Sequence, residues 1–325
     1  MHRKALACLL LFVVIVAGCG AQETAERKEP VKIGIMLSDV GLGDQSFSDA
    51  AFQGLIKARD ELDVRFDYRE ISETVDYEKG LVQLVEQGND IVVGLGFMVQ
   101  ESLEKVAKQY PDQQFVLIDS VSEAANVVSL TFKEEEGSFL IGALAALKTK
   151  SNKIGFIGGM NVPLIHKFGA GYKQGALTVN PKVQIAEEYA EDFGSVEKGT
   201  AIARKMIQAG VDAVYPAAGL TGVGALKEAE AKGKLAFGVD SDQFFAAEKA
   251  VVSSMLKHID KAIYLISETL VKEGKLSTKH IELGLKENGV GLAQVRVTAL
   301  SEKEKGQLDS LTKDIISGKI TVNSK

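Results

Sequence analysis

VKIGIML at residues 31–37, followed by SFSDAAFQGLIKARDEL at residues 46–62, sets the architecture of this chain. The first stretch is short, apolar and β-rich, as in a strand buried on both faces. The second places Phe47, Ala51, Leu55, Ala58 and Leu62 on one side of a helix. The same unit recurs downstream. Strands are predicted at 65–71, 90–94, 114–119 and 127–131, with helices at 77–86, 102–109 and 137–148. The pattern then restarts, with strands at 153–157, 183–189, 212–215 and 234–239 and helices at 164–177, 196–208 and 224–232. Strands alternating with helices imply parallel sheets wound by right-handed crossovers.

A single barrel of eight strand–helix units would need an unbroken series. The break near residues 127–137, and a chain longer than one core usually supports, favour an α/β protein of two doubly wound parallel-sheet lobes. The reading divides the chain into 31–130 plus 256–278 as lobe 1 and 131–255 plus 279–325 as lobe 2. Hinges are expected near 120–130, 254–257 and 276–282. An amphipathic helix is predicted at 257–275, a strand at 281–285, and a last helix at 302–316.

Outside that frame, Arg3 and Lys4 precede an apolar run of about thirteen residues that closes on Val16-Ala17-Gly18-Cys19. A basic start, a short apolar core and small residues before a cut are the parts of a secretory signal. The run is too short to span a hydrocarbon core, which takes roughly twenty residues. Small residues followed by Cys19 resemble a bacterial lipobox, so residues 1–18 are read as a lipoprotein signal peptide with Cys19 lipidated. The polar stretch 19–30 is then a tether. Loss of Arg3 and Lys4 moves the net charge from −6 to about −8, which argues against nucleic-acid binding. Cys8 leaves with the signal, so no disulfide can form within the mature chain.

Ligands of open parallel sheets bind beyond the carboxyl ends of the strands. Those ends carry Ser38, Asp39 and the glycine-rich turn through Asp44, Gln45 and Phe47, then Gly96-Phe97, then Asp119-Ser120. In the second half they carry Gly158-Gly159-Met160, Ala218-Gly219-Leu220-Thr221-Gly222 and Asp240-Ser241-Asp242-Gln243. Glycines admit close approach, carboxylates and amides give directional hydrogen bonds, and phenylalanines give flat walls. That chemistry suits a neutral polar molecule with a planar ring. The Gly41-x-Gly43 turn is a poor phosphate loop, because Asp44 puts negative charge at the helix N-terminus. The mature chain holds no Cys–His pair, no H-E-x-x-H and no G-x-S-x-G. The run Glu134-Glu135-Glu136 is read as a solvated first helical turn. No enzyme activity, cofactor or metal is expected.

Asp44-Gln45-Ser46-Phe47-Ser48-Asp49 with Gly54 resembles the D-x-S-F-N-x-x-x-x-x-G signature of the basic membrane protein family of lipoproteins. The resemblance continues through Gly158-Gly159-Met160-x-x-Pro163, Phe168-x-x-Gly171-Tyr172, Ala218-Gly219-x-Thr221-Gly222, Gly238-Val239-Asp240-Ser241-Asp242-Gln243 and Ser254-Met255-Leu256-Lys257-x-x-Asp260. These are type I periplasmic-binding-protein-like receptors of ABC transporters, purine nucleoside receptors among them. The resemblance implies that Phe47 stacks on the base and that Asp44 and Asp119 bond its edge. It gives Asp240 the ribose hydroxyls and Lys257 the 5′ side of the sugar. Asp39, Gln45, Phe97, Met160, Gly219 and Thr221 complete the expected ligand-binding set.

The expectation is therefore a monomeric receptor, held by lipid on Cys19 to the outer face of the cell membrane, that passes a nucleoside to an ABC permease. Three alternatives stand beside it: a ligand-sensing lipoprotein that signals to a membrane partner, a receptor for another sugar-like solute, and a nucleoside hydrolase using Asp39, Asp44 and Asp49 around a metal.

Overall fold

The computed structural model describes residues 29–325, so the signal, the lipidation expected at Cys19 and most of the 19–30 tether lie outside the described residues. The first lobe runs β1 (Lys32–Met36), α1 (Phe47–Leu62), β2 (Arg65–Arg69), α2 (Ile71–Thr74), α3 (Tyr77–Glu86), β3 (Ile91–Leu95), α4 (Gln100–Gln109), β4 (Gln114–Ile118) and β5 (Val127–Phe132). The chain then crosses into α5 (Glu134–Lys148), β6 (Lys153–Gly158), α6 (Pro163–Val179), β7 (Gln184–Tyr189), α7 (Val196–Gln208), β8 (Ala213–Ala217), α8 (Gly219–Ala231), β9 (Leu235–Asp240) and β10 (Val251–Lys257). It returns for α9 (Ile259–Glu273) and β11 (His280–Leu283), then crosses again to β12 (Val290–Leu292) and α10 (Glu302–Ile316).

Each lobe is built on one sheet. The first has the order β11-β5-β4-β3-β1-β2 and the second β12-β10-β9-β8-β6-β7. Every pairing is parallel except β10 with β12. Leaving the edge strands aside, both follow the same doubly wound order, whose switch point lies between β1 and β3 and between β6 and β8. Strands β3 and β8 are buried along their whole length, as central parallel strands covered on both faces must be.

The two-lobe reading holds, and some details differ. His280–Leu283 pairs with β5, so this strand belongs to the first lobe, not with 279–325 in the second. The backbone N–H of Ser129 donates to Lys279 O at 2.9 Å, which starts the ladder before the last crossing. Residues 251–257, for which no strand was predicted, form β10, and the helix begins only at Ile259. Helix α8 starts at Gly219, ahead of the predicted 224.

Packing in the second lobe depends on two glycines. On Gly142 of α5 a Cβ would overlap the carbonyl oxygen of Tyr172, and on Gly175 of α6 that of Phe139. The two helices are thus in backbone contact, and α6 carries Lys167 and Phe168 toward the lobe interface at that fixed depth. Any side chain at either site must drive the helices apart. Gly142→Ala is expected to lower stability by about 1–3 kcal/mol, read as a shift in the urea midpoint with an unchanged slope.

Candidate functional site

The carboxyl ends of both sheets face one another across a cleft. Its lining comes from the loop after β1 (Ser38, Asp39, Val40, Asp44), the start of α1 (Phe47) and of α3 (Tyr77), the turn after β3 (Gly96, Phe97, Met98), and Asp119 after β4. The second lobe adds Leu164, Ile165 and Phe168 of α6, Phe193, Ala218 and Gly219, Asp240 at the end of β9, and Lys257 at the end of β10. The empty space is about 660 Å³, part of it open to solvent.

Asp119 and Asp240 occupy matching positions, one residue past β4 and at the end of β9. Both are left-handed, at φ +69° and +63°. Non-glycine residues adopt this conformation at a cost, and it gathers at functional sites. Here it turns each carboxylate off its strand end and into the cleft.

At the charged end of the cleft, Lys257 Nζ lies 2.5 Å from Asp119 Oδ2 and 3.1 Å from Glu134 Oε1. Glu134 Oε2 also takes Lys167 Nζ at 2.9 Å, and Lys167 donates to Phe132 O at 2.9 Å. Lys257 Nζ further sits 5.1 Å from the ring centroids of Phe47 and Phe132 and 5.7 Å from that of Phe168. The Lys257 and Asp119 side chains are 2% and 4% exposed, and Glu134 is fully buried. Burial alone would discharge the lysine, but Asp119, Glu134 and Asp240 together hold its pKa above the ordinary value. Burial pushes Asp119 up to about 6, with Lys257 opposing and Glu134 reinforcing the rise. Asp240 is also raised, by burial first.

The lobes touch across the cleft. Ser46 Oγ donates to Asp240 Oδ2 at 2.6 Å, and Ser241 Oγ and Gln243 Nε2 donate to Gln45 O at 3.0 and 3.2 Å. Phe97 meets Phe193 edge to face, with centroids 6.4 Å apart.

Of the residues singled out in the sequence, Asp39, Asp44, Phe47, Phe97, Asp119, Gly219, Asp240 and Lys257 line the cleft. Three others do not. Gln45 acts through its carbonyl. Thr221 is buried and accepts from Ser195 N–H at 2.8 Å. Met160 is outside the lining, and its carbonyl accepts from Val162 N–H. Asp44 reaches the wall, but its carboxylate accepts N–H bonds from Ser46, Ser48 and Asp49 at 2.9, 2.7 and 3.2 Å. It is a helix cap, raised to about 6 chiefly by burial. Asp49 likewise takes the N–H groups of Gly43 and Gln45. Asp44 and Asp49 are thus tied to backbone, and no metal-holding cluster occurs among the described residues.

The acidic turn at 134–136 was misread as solvated, since Glu134 is the buried partner of two lysines. Its signal lay in Lys167 and Lys257, too distant in sequence to be paired with it by spacing. Tyr77 and Phe193 were missed as well, because neither sits in a strand-end motif.

Two wound lobes with a polar, aromatic cleft between them define the type I periplasmic-binding-protein class of solute receptor. Residues 31–325 match the Bmp family, described as "ABC transporter substrate-binding protein PnrA-like", and the chain belongs to that family. It is thus an ABC transporter substrate-binding protein. It is 36% identical to an uncharacterized lipoprotein of Pyrococcus abyssi, over 94% of this chain and 80% of that one. It is 32% identical to the "ABC transporter nucleoside-binding protein BmpA" of Lactococcus lactis subsp. cremoris, over 98% and 97%. Among solved structures, an ABC transporter solute-binding protein of Aeropyrum pernix K1 superposes with TM-score 0.81 at 30% identity, covering 91% of this chain and 94% of that one.

The charged cluster yields a stability test. Lys257→Met leaves Asp119 and Glu134 buried with less compensation, which typically costs about 3–5 kcal/mol. Burial already raises Asp119 against the opposing pull of Lys257, so without the cation its carboxyl binds a proton more readily folded than unfolded. The deficit, measured by urea denaturation, is therefore expected to shrink as pH falls from 7.5 toward 5.

Proposed function

We propose that this protein is a lipid-anchored receptor that closes its lobes over a nucleoside, of the purine class, and delivers it to an ABC permease. The observation that carries the reading is the make-up of the cleft: phenylalanine faces along its length and, at one end, a cluster of carboxylates around Lys257 in which Asp119 Oδ1 has no protein partner among the described residues. Phenylalanine walls suit a flat base, and charged acceptors suit vicinal hydroxyls. The printed name of the Lactococcus relative points the same way.

In this reading Phe47 lies against the base, and Asp240 accepts from the ribose hydroxyls where it now accepts from Ser46 Oγ. Asp242, the other candidate for capping the turn, does so, accepting from Phe244 N–H and pairing with Arg296. That leaves Asp240 available to the cleft. Asp119 shares Lys257 with Glu134 and feels the charge of Asp240, so its free oxygen is assigned to the sugar and not to the base edge. Lys257 serves the 5′ side. The anchor is Cys19, the working location the outer face of the cell membrane, and the receptor a monomer. Among the described residues no helix is long and apolar enough to cross a membrane.

Thermal-shift and calorimetric titration of residues 20–325 with nucleosides, free bases and pentoses tests the reading. A nucleoside ligand stabilises by about 2.7 kcal/mol at a hundredfold excess over Kd. No response to any nucleoside sinks the substrate class. Asp240→Ala is expected to weaken ribonucleoside binding by about 2 kcal/mol or more, while a 2′,3′-dideoxynucleoside binds wild type and variant alike. Equal losses for both ligands make Asp240 structural. Affinity is also expected to fall as pH drops through about 6, where Asp119 gains its proton and stops accepting as an anion.

A further inference from the structure

Two buried side-chain oxygens in the cleft lining lack a protein partner among the described residues: Asp119 Oδ1 and the hydroxyl of Tyr77. Asp119 follows β4, whereas Tyr77 opens α3, which packs on β1, β2 and β3; β1 and β4 are two strand spacings apart, roughly 10 Å. That separation is close to the length of a nucleoside. The β7–α7 loop shares the lining with Tyr77, and its Phe193 meets Phe97 edge to face.

The backbone holds Tyr77 in place deliberately. Asp76 caps α3 by accepting from Lys79 N–H at 2.8 Å, and Thr74 Oγ1 donates to the carbonyls of Glu70 and Asp76, each at 3.0 Å. Glu70 Oε1 accepts from Leu42 N–H at 2.7 Å, which ties this turn to the glycine loop beside the cleft. Between them Val75 sits at φ +77°, a rare conformation for a β-branched residue. Strain of this kind persists where the surroundings demand one geometry.

A buried hydroxyl with no partner destabilises a fold. Phenylalanine would pack the same ring against the apolar cluster that includes Met36 and Leu81 without that penalty. We propose that Tyr77 reads the nucleobase edge, its hydroxyl donating to a nitrogen of the six-membered ring or to an exocyclic oxygen, away from the sugar side held by Asp119, Asp240 and Lys257. The assignment rests on the nucleoside reading above. Burial, with the charge of Asp39 adding to it, keeps the phenol protonated well above its ordinary range, so it is a donor at neutral pH.

The test is Tyr77→Phe, studied with adenosine, guanosine and inosine and with benzimidazole riboside, whose six-membered ring has no hydrogen-bonding atom. The expected result is a loss of about tenfold in affinity for the natural nucleosides and no change for benzimidazole riboside. The melting temperature of the unliganded variant should equal or exceed that of wild type. Unchanged affinity for the natural nucleosides overturns the assignment. So does an equal loss for both kinds of ligand, or a fall in unliganded melting temperature that accounts for weaker binding. If wild type binds no nucleoside at all, the substrate reading itself has failed, a result distinct from these.

Discussion

An ammonium group taken out of water must find carboxylates, and Lys257 finds them on both sides of the lobe boundary. Asp119 belongs to the first sheet and Glu134 opens the helix that follows the first crossing, while Lys257 ends the strand that precedes the second. The cluster therefore joins two of the connecting segments to the floor of the cleft. A buried ion pair is a doubtful source of net stability, since desolvation offsets most of the attraction. Its better-supported role is positional. With Lys167 holding Glu134 and the Phe132 carbonyl, the crossings and the binding surface are fixed relative to one another.

That arrangement gives the cleft its polarity. Three carboxylates around Lys257 leave acceptor capacity facing inward, and phenylalanines from both lobes screen it from solvent. Contacts across the cleft from Ser46, Ser241 and Gln243 add hydrogen bonds to the Phe97–Phe193 ring contact and the Lys257–Asp119 pair. Such bonds contribute little net free energy each. A ligand that supplied better partners to Asp240 would compete with them on nearly equal terms, so closure can be tuned by what lies in the cleft.

Much of the fold was legible because each strand–helix unit carries its own periodicity. Asp119-Ser120 and Asp240-Ser241 each fall at a strand end on the sequence pattern, and their shared left-handed backbone makes the two ends equivalent. Legibility failed where long-range partners decide the outcome. Glu134 is surrounded in sequence by other glutamates and looks solvated, yet its lysines arrive from α6 and β10. Strand β10 carries Ser253 and Ser254, both fully or almost fully buried, and polar residues in a strand blur the apolar run that identifies one. Asp44 matched a ligand-binding motif, but local geometry gave its oxygens to the amides of α1.

The edge strand β11 has a consequence for how this chain reaches its folded state. It completes the first sheet, yet it is made only after the whole central part of the second lobe, nearly half the chain later than its neighbour β5. Until it and α9 arrive, β5 presents an unpaired edge and α1 lacks its packing partner. The lobes therefore cannot mature one after the other as the polypeptide is synthesised. Non-local pairing of this kind slows folding, and the nascent first lobe stays incomplete and adhesive until the C-terminal third is available.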